Sequence, residues 1–174
     1  MERYSGLILM APRLRQFLGG ESDGVTDGIL DLDIDVGDGK IYWAKRGGII
    51  RSDMDGTNIE NLVEIASYIQ PTAIVVDTLR DYIFWSNTSN DNIERAKTDG
   101  SEVETIINAE SPVALDLDID NEKIYWIEDY IYSGGGGAIF QANLDGSDEN
   151  IINETDSYYR EGLYVKDWGS NYLH

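Results

Sequence analysis

Pro71-Thr72-Ala73-Ile74-Val75-Val76-Asp77 leads, eight positions after its Asp, to Trp85. Pro112-Val113-Ala114-Leu115-Asp116-Leu117-Asp118 leads in the same way to Trp126, and Asp35 stands eight before Trp43. The three Trp residues close aromatic pairs, Tyr42-Trp43, Phe84-Trp85 and Tyr125-Trp126, spaced 42 and then 41 positions apart. Each pair is followed by an Asp-Gly turn: Asp55-Gly56, Asp99-Gly100 and Asp145-Gly146. A period of this length means several copies of one small unit, each unable to bury its core alone.

Within each unit the pattern is that of strands. Leu32/Ile34, Ile74/Val76 and Leu115/Leu117 alternate with their neighbours, so one face of a first strand points inward. Turns at Gly37-Asp38-Gly39, Leu79-Arg80-Asp81 and Asn121-Glu122 lead into the aromatic strand. Ile50-Arg51-Ser52, Ile93-Glu94-Arg95-Ala96 and Ile139-Phe140-Gln141-Ala142 mark a third strand. The Asp-Gly pairs close a hairpin to a fourth, at Leu62-Val63, Ile106-Ile107 and Ile151-Ile152. Four antiparallel strands per ~40–45 residues is the arithmetic of a propeller blade.

The expected fold is therefore an all-β propeller of four-stranded antiparallel blades in a single domain, 1–174. Its repeats run over about 29–70, 71–111 and 112–157, with half-blades at 6–28 and 158–174. Gly162-Leu163-Tyr164-Val165-Lys166 repeats the first-strand pattern, and His174 falls at the next aromatic position. The two half-blades would share one composite blade; the rival arrangement is an open arc with edges free for a second copy, a route to a homo-oligomer.

Composition narrows the function. With 33 acidic and 13 basic residues the net charge is −20. Such a field repels nucleic acid and anionic membrane and attracts a protein or peptide with a basic patch. The chain has no Cys and a single His, His174. Disulfides, thiolate metal sites and cysteine catalysis are excluded, and Ser-His nucleophilic arrangements have no internal His to use. No apolar run approaches the ~20 residues of a membrane span. Gly6-Leu7-Ile8-Leu9-Met10-Ala11 is too short for a signal-peptide core, so export would need a leader beyond this sequence.

The units resemble the YWTD repeats, the class B repeats of the low-density lipoprotein receptor family. The carriers are Pro71/Pro112, Asp35/Asp77/Asp118, the three aromatic-Trp pairs and the Ile-x-x-Ala-x-x-Asp-Gly pattern at Ile93–Gly100. Family members bind extracellular proteins through a propeller face, so the resemblance implies a non-enzymatic protein-binding module and an extracellular setting. Where the family has Thr-Asp after the Trp, this chain has Ala44-Lys45, Ser86-Asn87 and Ile127-Glu128. The resemblance gives that acidic position a part in tying blades together, and only Glu128 keeps a charge there. Family propellers usually have six blades; this chain has material for about four.

Candidate binding residues sit where the repeat is broken. The insertion Asp129-Tyr130-Ile131-Tyr132-Ser133-Gly134-Gly135-Gly136-Gly137 lengthens one loop only, and Tyr130 and Tyr132 present large amphipathic contact areas on it. Tyr158 and Tyr159 are a second pair. The plain alternative is a hairpin extension with no partner. Carboxylates offer another chemistry: Asp33, Asp35, Asp116 and Asp118 would be the first ligands of a calcium ion in a lactonase-like propeller hydrolase. Residues two apart on a strand are separated by ~6.8 Å, so one row chelates poorly and rows from two blades would have to converge. Otherwise these Asp residues bond backbone amides. A self-assembling structural array is a third reading. Asn87-Thr88-Ser89 and Asn153-Glu154-Thr155 are glycosylation sequons, meaningful in a secreted eukaryotic chain.

Overall fold

A computed structural model of the protein describes residues 28–130 and 136–155. Twelve strands make three four-stranded antiparallel sheets, each a meander in chain order, and the described residues include no helix. The first blade holds β1 (Ile29–Asp35), β2 (Lys40–Lys45), β3 (Gly48–Asp53) and β4 (Glu60–Glu64). The second holds β5 (Pro71–Asp77), β6 (Tyr82–Asn87), β7 (Asn92–Lys97) and β8 (Glu104–Asn108). The third holds β9 (Pro112–Asp118), β10 (Lys123–Asp129), β11 (Gly137–Asn143) and β12 (Asn150–Thr155). The blades expected over 29–70, 71–111 and 112–157 are these three sheets; the half-blades at 6–28 and 158–174 lie outside the described residues.

Register repeats with composition. Trp43, Trp85 and Trp126 pair with Leu32, Ile74 and Leu115 on the first strand of their blades. Across the third strand they meet Ile50, Glu94 and Phe140. Each blade also carries an irregularity near the start of its first strand and another between its third and fourth. Bulges at fixed places raise the local twist, and repeating them gives every blade the same shape.

The core lies between blades rather than inside them. One face of the first blade, Tyr42, Ala44, Ile49 and Val63, packs on Ile74, Val76, Ile83, Trp85 and Ala96 of the second. The second blade's other face, Ala73, Phe84, Ile93 and Ile107, packs on Leu115, Ile124, Trp126, Phe140 and Ala142 of the third. Trp85 and Trp126 are wholly buried. A single sheet has two faces and no interior, so its apolar residues are hidden only by the next sheet. On the first blade's face turned away from the second, Leu32 and Ile34 are 51% and 40% exposed while Trp43 and Ile50 are buried; the repeat-mates Ile74 and Val76 are 1% and 5% exposed.

The first strands are neighbours: β1 lies beside β5, and β5 beside β9. At the outer edge the blades touch through the Asp-Gly turns. A Cβ on Gly100 would sit 2.4 Å from the Leu62 carbonyl oxygen, and one on Gly146 would sit 2.1 Å from that of Ile106. These glycines serve a left-handed turn (φ +85° and +84°) and also let it lean on the preceding blade's fourth strand.

Candidate functional site

Each first strand ends in an Asp that organises the following turn. Asp35 Oδ1 accepts the Asp38 amide at 3.0 Å, and Asp118 Oδ1 accepts that of Asn121 at 3.0 Å. Asp77 Oδ1 accepts the amides of Leu79 and Arg80 at 3.0 and 3.2 Å. The fourth residue after this Asp takes the left-handed conformation in all three blades: Gly39, Asp81 and Glu122. A side-chain oxygen bonding backbone amides two or three residues ahead fixes a tight turn. The Asp-Gly turns at the same end obey a similar rule. Asp55, Asp99 and Asp145 accept the amides of Thr57, Ser101 and Ser147 at 2.9 Å and their hydroxyls at 2.6 Å. Those bonds to the ionised form hold the Asp99 and Asp145 carboxyls below the usual aspartate range.

At this end of the described residues a cleft opens at each seam. The seam of the first and second blades opens a cleft of about 400 Å³ lined by Ile34, Asp35, Val36, Asp38, Thr78 and Asp81. The seam of the second and third opens one of about 610 Å³, whose lining includes Arg80, Arg95, Glu122, Lys123 and Asp145. Arg80 spans the second seam: Nη1 donates to Asp77 Oδ2 at 3.0 Å and to the Ile119 carbonyl at 3.4 Å, and Nη2 to Glu122 Oε1 at 2.6 Å. Further out, Arg51 Nη1 donates to the Thr98 carbonyl at 2.5 Å, and Arg95 Nη1 to the Leu144 carbonyl at 2.9 Å. The third blade has Gln141 in their place.

The carboxylates weighed as a calcium site have other employment. Asp33 Oδ2 accepts the Val76 amide at 2.8 Å and its Oδ1 the Ile34 amide at 2.8 Å. Asp31 Oδ2 accepts the Ile74 amide at 2.9 Å. A carboxylate row on β1 thus satisfies the free edge of β5. Burial pushes the Asp33 carboxyl up, the two amides pull it down, and the charges of Asp31 and Asp116 push it up again. Asp116 Oδ1 accepts the Leu117 amide at 2.8 Å, and Asp118 Oδ2 the Asn121 side-chain amide at 2.7 Å. Among the described residues no group of three or more His, Cys, Asp or Glu is placed to hold a metal ion.

Tyr130 closes the inserted loop. Its amide donates to the Gly136 carbonyl at 3.1 Å, and its half-buried ring packs against the core of the second seam. Its hydroxyl donates to Glu128 Oε2 at 3.1 Å; burial first, then the charge of Glu128, pushes the phenol up to about 12. Glu128, 5% exposed, also accepts Trp126 Nε1 at 3.2 Å and the backbone amide of Glu110, on the link from the second blade to the third. Tyr132, Tyr158 and Tyr159 lie outside the described residues. The sequon at Asn87 falls on a residue with 0% exposure whose Oδ1 accepts the Asn90 amide, which leaves no room for a glycan; Asn153 is exposed on β12. Sequence reading missed Asp38, Arg80 and Asp81 as a set. The signal was there in the turn after Asp35, Asp77 and Asp118, whose third residue is Asp, Arg or Asn in an otherwise constant frame.

No family model matches the chain. It is 31% identical over 117 residues to Protein cueball of Drosophila yakuba, covering 63% of this chain and 17% of that protein. It is 29% identical over 135 residues to a low-density lipoprotein receptor-related protein 1 of Pyricularia oryzae, covering 71% of this chain and 40% of the relative. The chain therefore spans well under half the length of these relatives. Among solved structures it is similar to a chain of a nidogen/laminin complex, with a TM-score of 0.65 and 24% identity over 72% of this chain and 48% of that one. An auxiliary nutrient binding protein from Bacteroides thetaiotaomicron aligns with a TM-score of 0.61 and 12% identity, over 75% of this chain and 32% of the other. At these identities the structural likeness carries the propeller fold alone.

Proposed function

We propose that the chain is a non-enzymatic protein-binding module of the class B repeat type, and that its partner presents a basic patch. The observation that carries the reading is the placement of charge. Of 174 residues 33 are acidic against 13 basic, and Asp38, Asp55, Asp81, Asp99, Asp120, Glu122 and Asp145 all stand on turns at one end of rigid blades. Loops held by a stiff scaffold are where propellers and other β folds recognise partners. A single-sign field on such an end speeds encounter with a basic partner and rejects acidic ones. Likeness to a receptor-related protein supports the same class.

The test is fluorescence-anisotropy titration of labelled hexa-arginine against the whole chain, with hexa-glutamine as control. The expected result is saturable binding that weakens as salt rises from 50 to 300 mM, because exposed charge pairs are screened beyond about 10 Å at 0.1 M. No saturable binding, or equal binding of hexa-glutamine, rejects the basic-partner reading.

A further inference from the structure

The strand-end turns of the two seams share one frame, and among the described residues a cation bridges that frame only at the second. At the second seam Asp77, fully buried, is met by the guanidinium of Arg80, three residues on in its own turn. That guanidinium also reaches Ile119 and Glu122, the first and fourth residues after Asp118 in the next blade. At the first seam every counterpart is present except the cation. Asp35, 4% exposed, takes the place of Asp77, and Thr78 and Asp81 take those of Ile119 and Glu122. The residue at the position of Arg80 is Asp38, fixed there by the same backbone bond to the strand-end Asp.

Asp35 is left as a buried carboxylate with one bonded oxygen. Oδ1 accepts the Asp38 amide, Oδ2 has no hydrogen-bond donor among the described residues, and the residue lines the cleft. None of the ion pairs of the described residues involves Asp35, Asp38 or Asp81. The Asp38 amide is the one hydrogen-bond partner of this carboxylate, and a cation that reaches its second oxygen inside the cleft gains more than at an open surface. The three carboxylates are too spread to hold a metal ion, yet a guanidinium spans the same frame one blade away. Ile34 and Val36, 40% and 76% exposed, wall the approach with apolar surface suited to the methylene stem of a long basic side chain.

We propose that the cleft between the first and second blades is a receptor for an arginine side chain of a partner protein, which there takes the part Arg80 plays at the next seam. The inference deepens the protein-binding reading and rests on it. Arginine is favoured over lysine because a planar fork can bond Asp35 Oδ2 and a second carboxylate together, as Arg80 bonds Asp77 and Glu122.

The test is an NMR titration of the ¹⁵N-labelled chain with acetyl-arginine amide, and with acetyl-citrulline amide as the uncharged isostere. Saturable shifts of the Asp38, Thr78 and Asp81 amides with the arginine probe alone are the expected result. Asp38→Arg supplies the cation from within. It is expected to abolish those shifts and to raise Tm by about 2–4 °C, the size of shift that about 1 kcal/mol produces in a chain of this length. Asp38→Asn, which keeps the turn, is expected to weaken the probe at least fivefold and serves if the arginine variant does not fold. Shifts that are equal with citrulline, or that persist undiminished in the variants, overturn the site. If hexa-arginine binds parent and Asp38→Arg alike, the acidic-surface reading stands and the arginine receptor falls; if it binds neither while the single-arginine shifts appear, the site stands and the broader reading falls.

Discussion

The two seams solve one packing problem with opposite chemistry. Both must satisfy the edge of a first strand and hold two sheets face to face. At the first seam, Asp31 and Asp33 of β1 accept amides of β5, and the charged residues that line the turn-end cleft are all acidic. At the second, the repeat-mates of those residues are Ala73 and Val75, which join an apolar core, and Arg80 closes the turn end. The difference teaches that the repeat fixes geometry but not polarity. A carboxylate bonded to an amide and an alkyl side chain packed in a core both hold β strands at the same spacing. What distinguishes them is the charge left over, and the first seam keeps its charge.

Removing the cation from the second seam should make it resemble the first, and this carries the largest expected effect. Arg80→Ala leaves Asp77 fully buried with no counter-charge. Deleting one partner of such a pair is destabilising, by less than in a wholly buried pair because the guanidinium is 31% exposed. Urea unfolding at pH 7 should show that loss, and adding Asp77→Asn should recover more than half of it, since an Asn oxygen can still accept the turn amides. An unchanged urea midpoint would mean that Asp77 tolerates its charge unaided and that the seams differ less than their residues suggest.

A smaller effect is expected at the first seam. Asp33→Ala removes the acceptor of the Val76 amide, which stands on the edge of β5. An orphaned, partly buried N–H costs about 1–3 kcal/mol. Hydrogen exchange should report it locally: the Val76 amide should lose protection by at least tenfold relative to that of Val75, whose environment the substitution leaves alone. Unchanged protection would show that the carboxylate row is incidental to the seam.

The architecture was readable because it is written in period and parity. Aromatic pairs 42 and 41 residues apart and alternation on the first strands are each dictated by the blade, so Trp85 and Trp126 lie buried as the pattern requires. The role of the first-strand carboxylates as amide acceptors was also legible, because a lone row of Asp on a strand spaces its oxygens too widely for one ion. The sites were harder. Tyr130 reads as a contact residue in a loop, yet its hydroxyl is tied to Glu128 two residues back and its ring packs on the core of the second seam, a packing that no local pattern announces. The arginine-shaped cleft depends on comparing Asp38 with Arg80, and that comparison acquires meaning only once the blades stand side by side.

The smallest effect tests the far end of the second seam. The residue two after the Trp is Asn87 at the first seam and Glu128 at the second, both buried and on the same face of their blades. Burial raises the Glu128 carboxyl above the ordinary glutamate value, and the bonds from Trp126 and Tyr130 offset that only in part. A carboxyl raised on folding favours the folded state while it stays protonated. That contribution is complete below the ordinary value of 4.5 and is lost as pH rises through the folded value. At neutral pH the ionised group is therefore a burden, and Glu128→Gln should relieve it. The expected gain at pH 7 is about 2–4 °C in Tm, again about 1 kcal/mol. The gain should shrink to nothing near pH 3, where both states of the parent hold the proton. A gain that is flat with pH would assign it to packing of the amide, and the second seam would then be as indifferent to charge at this end as the first is with Asn87.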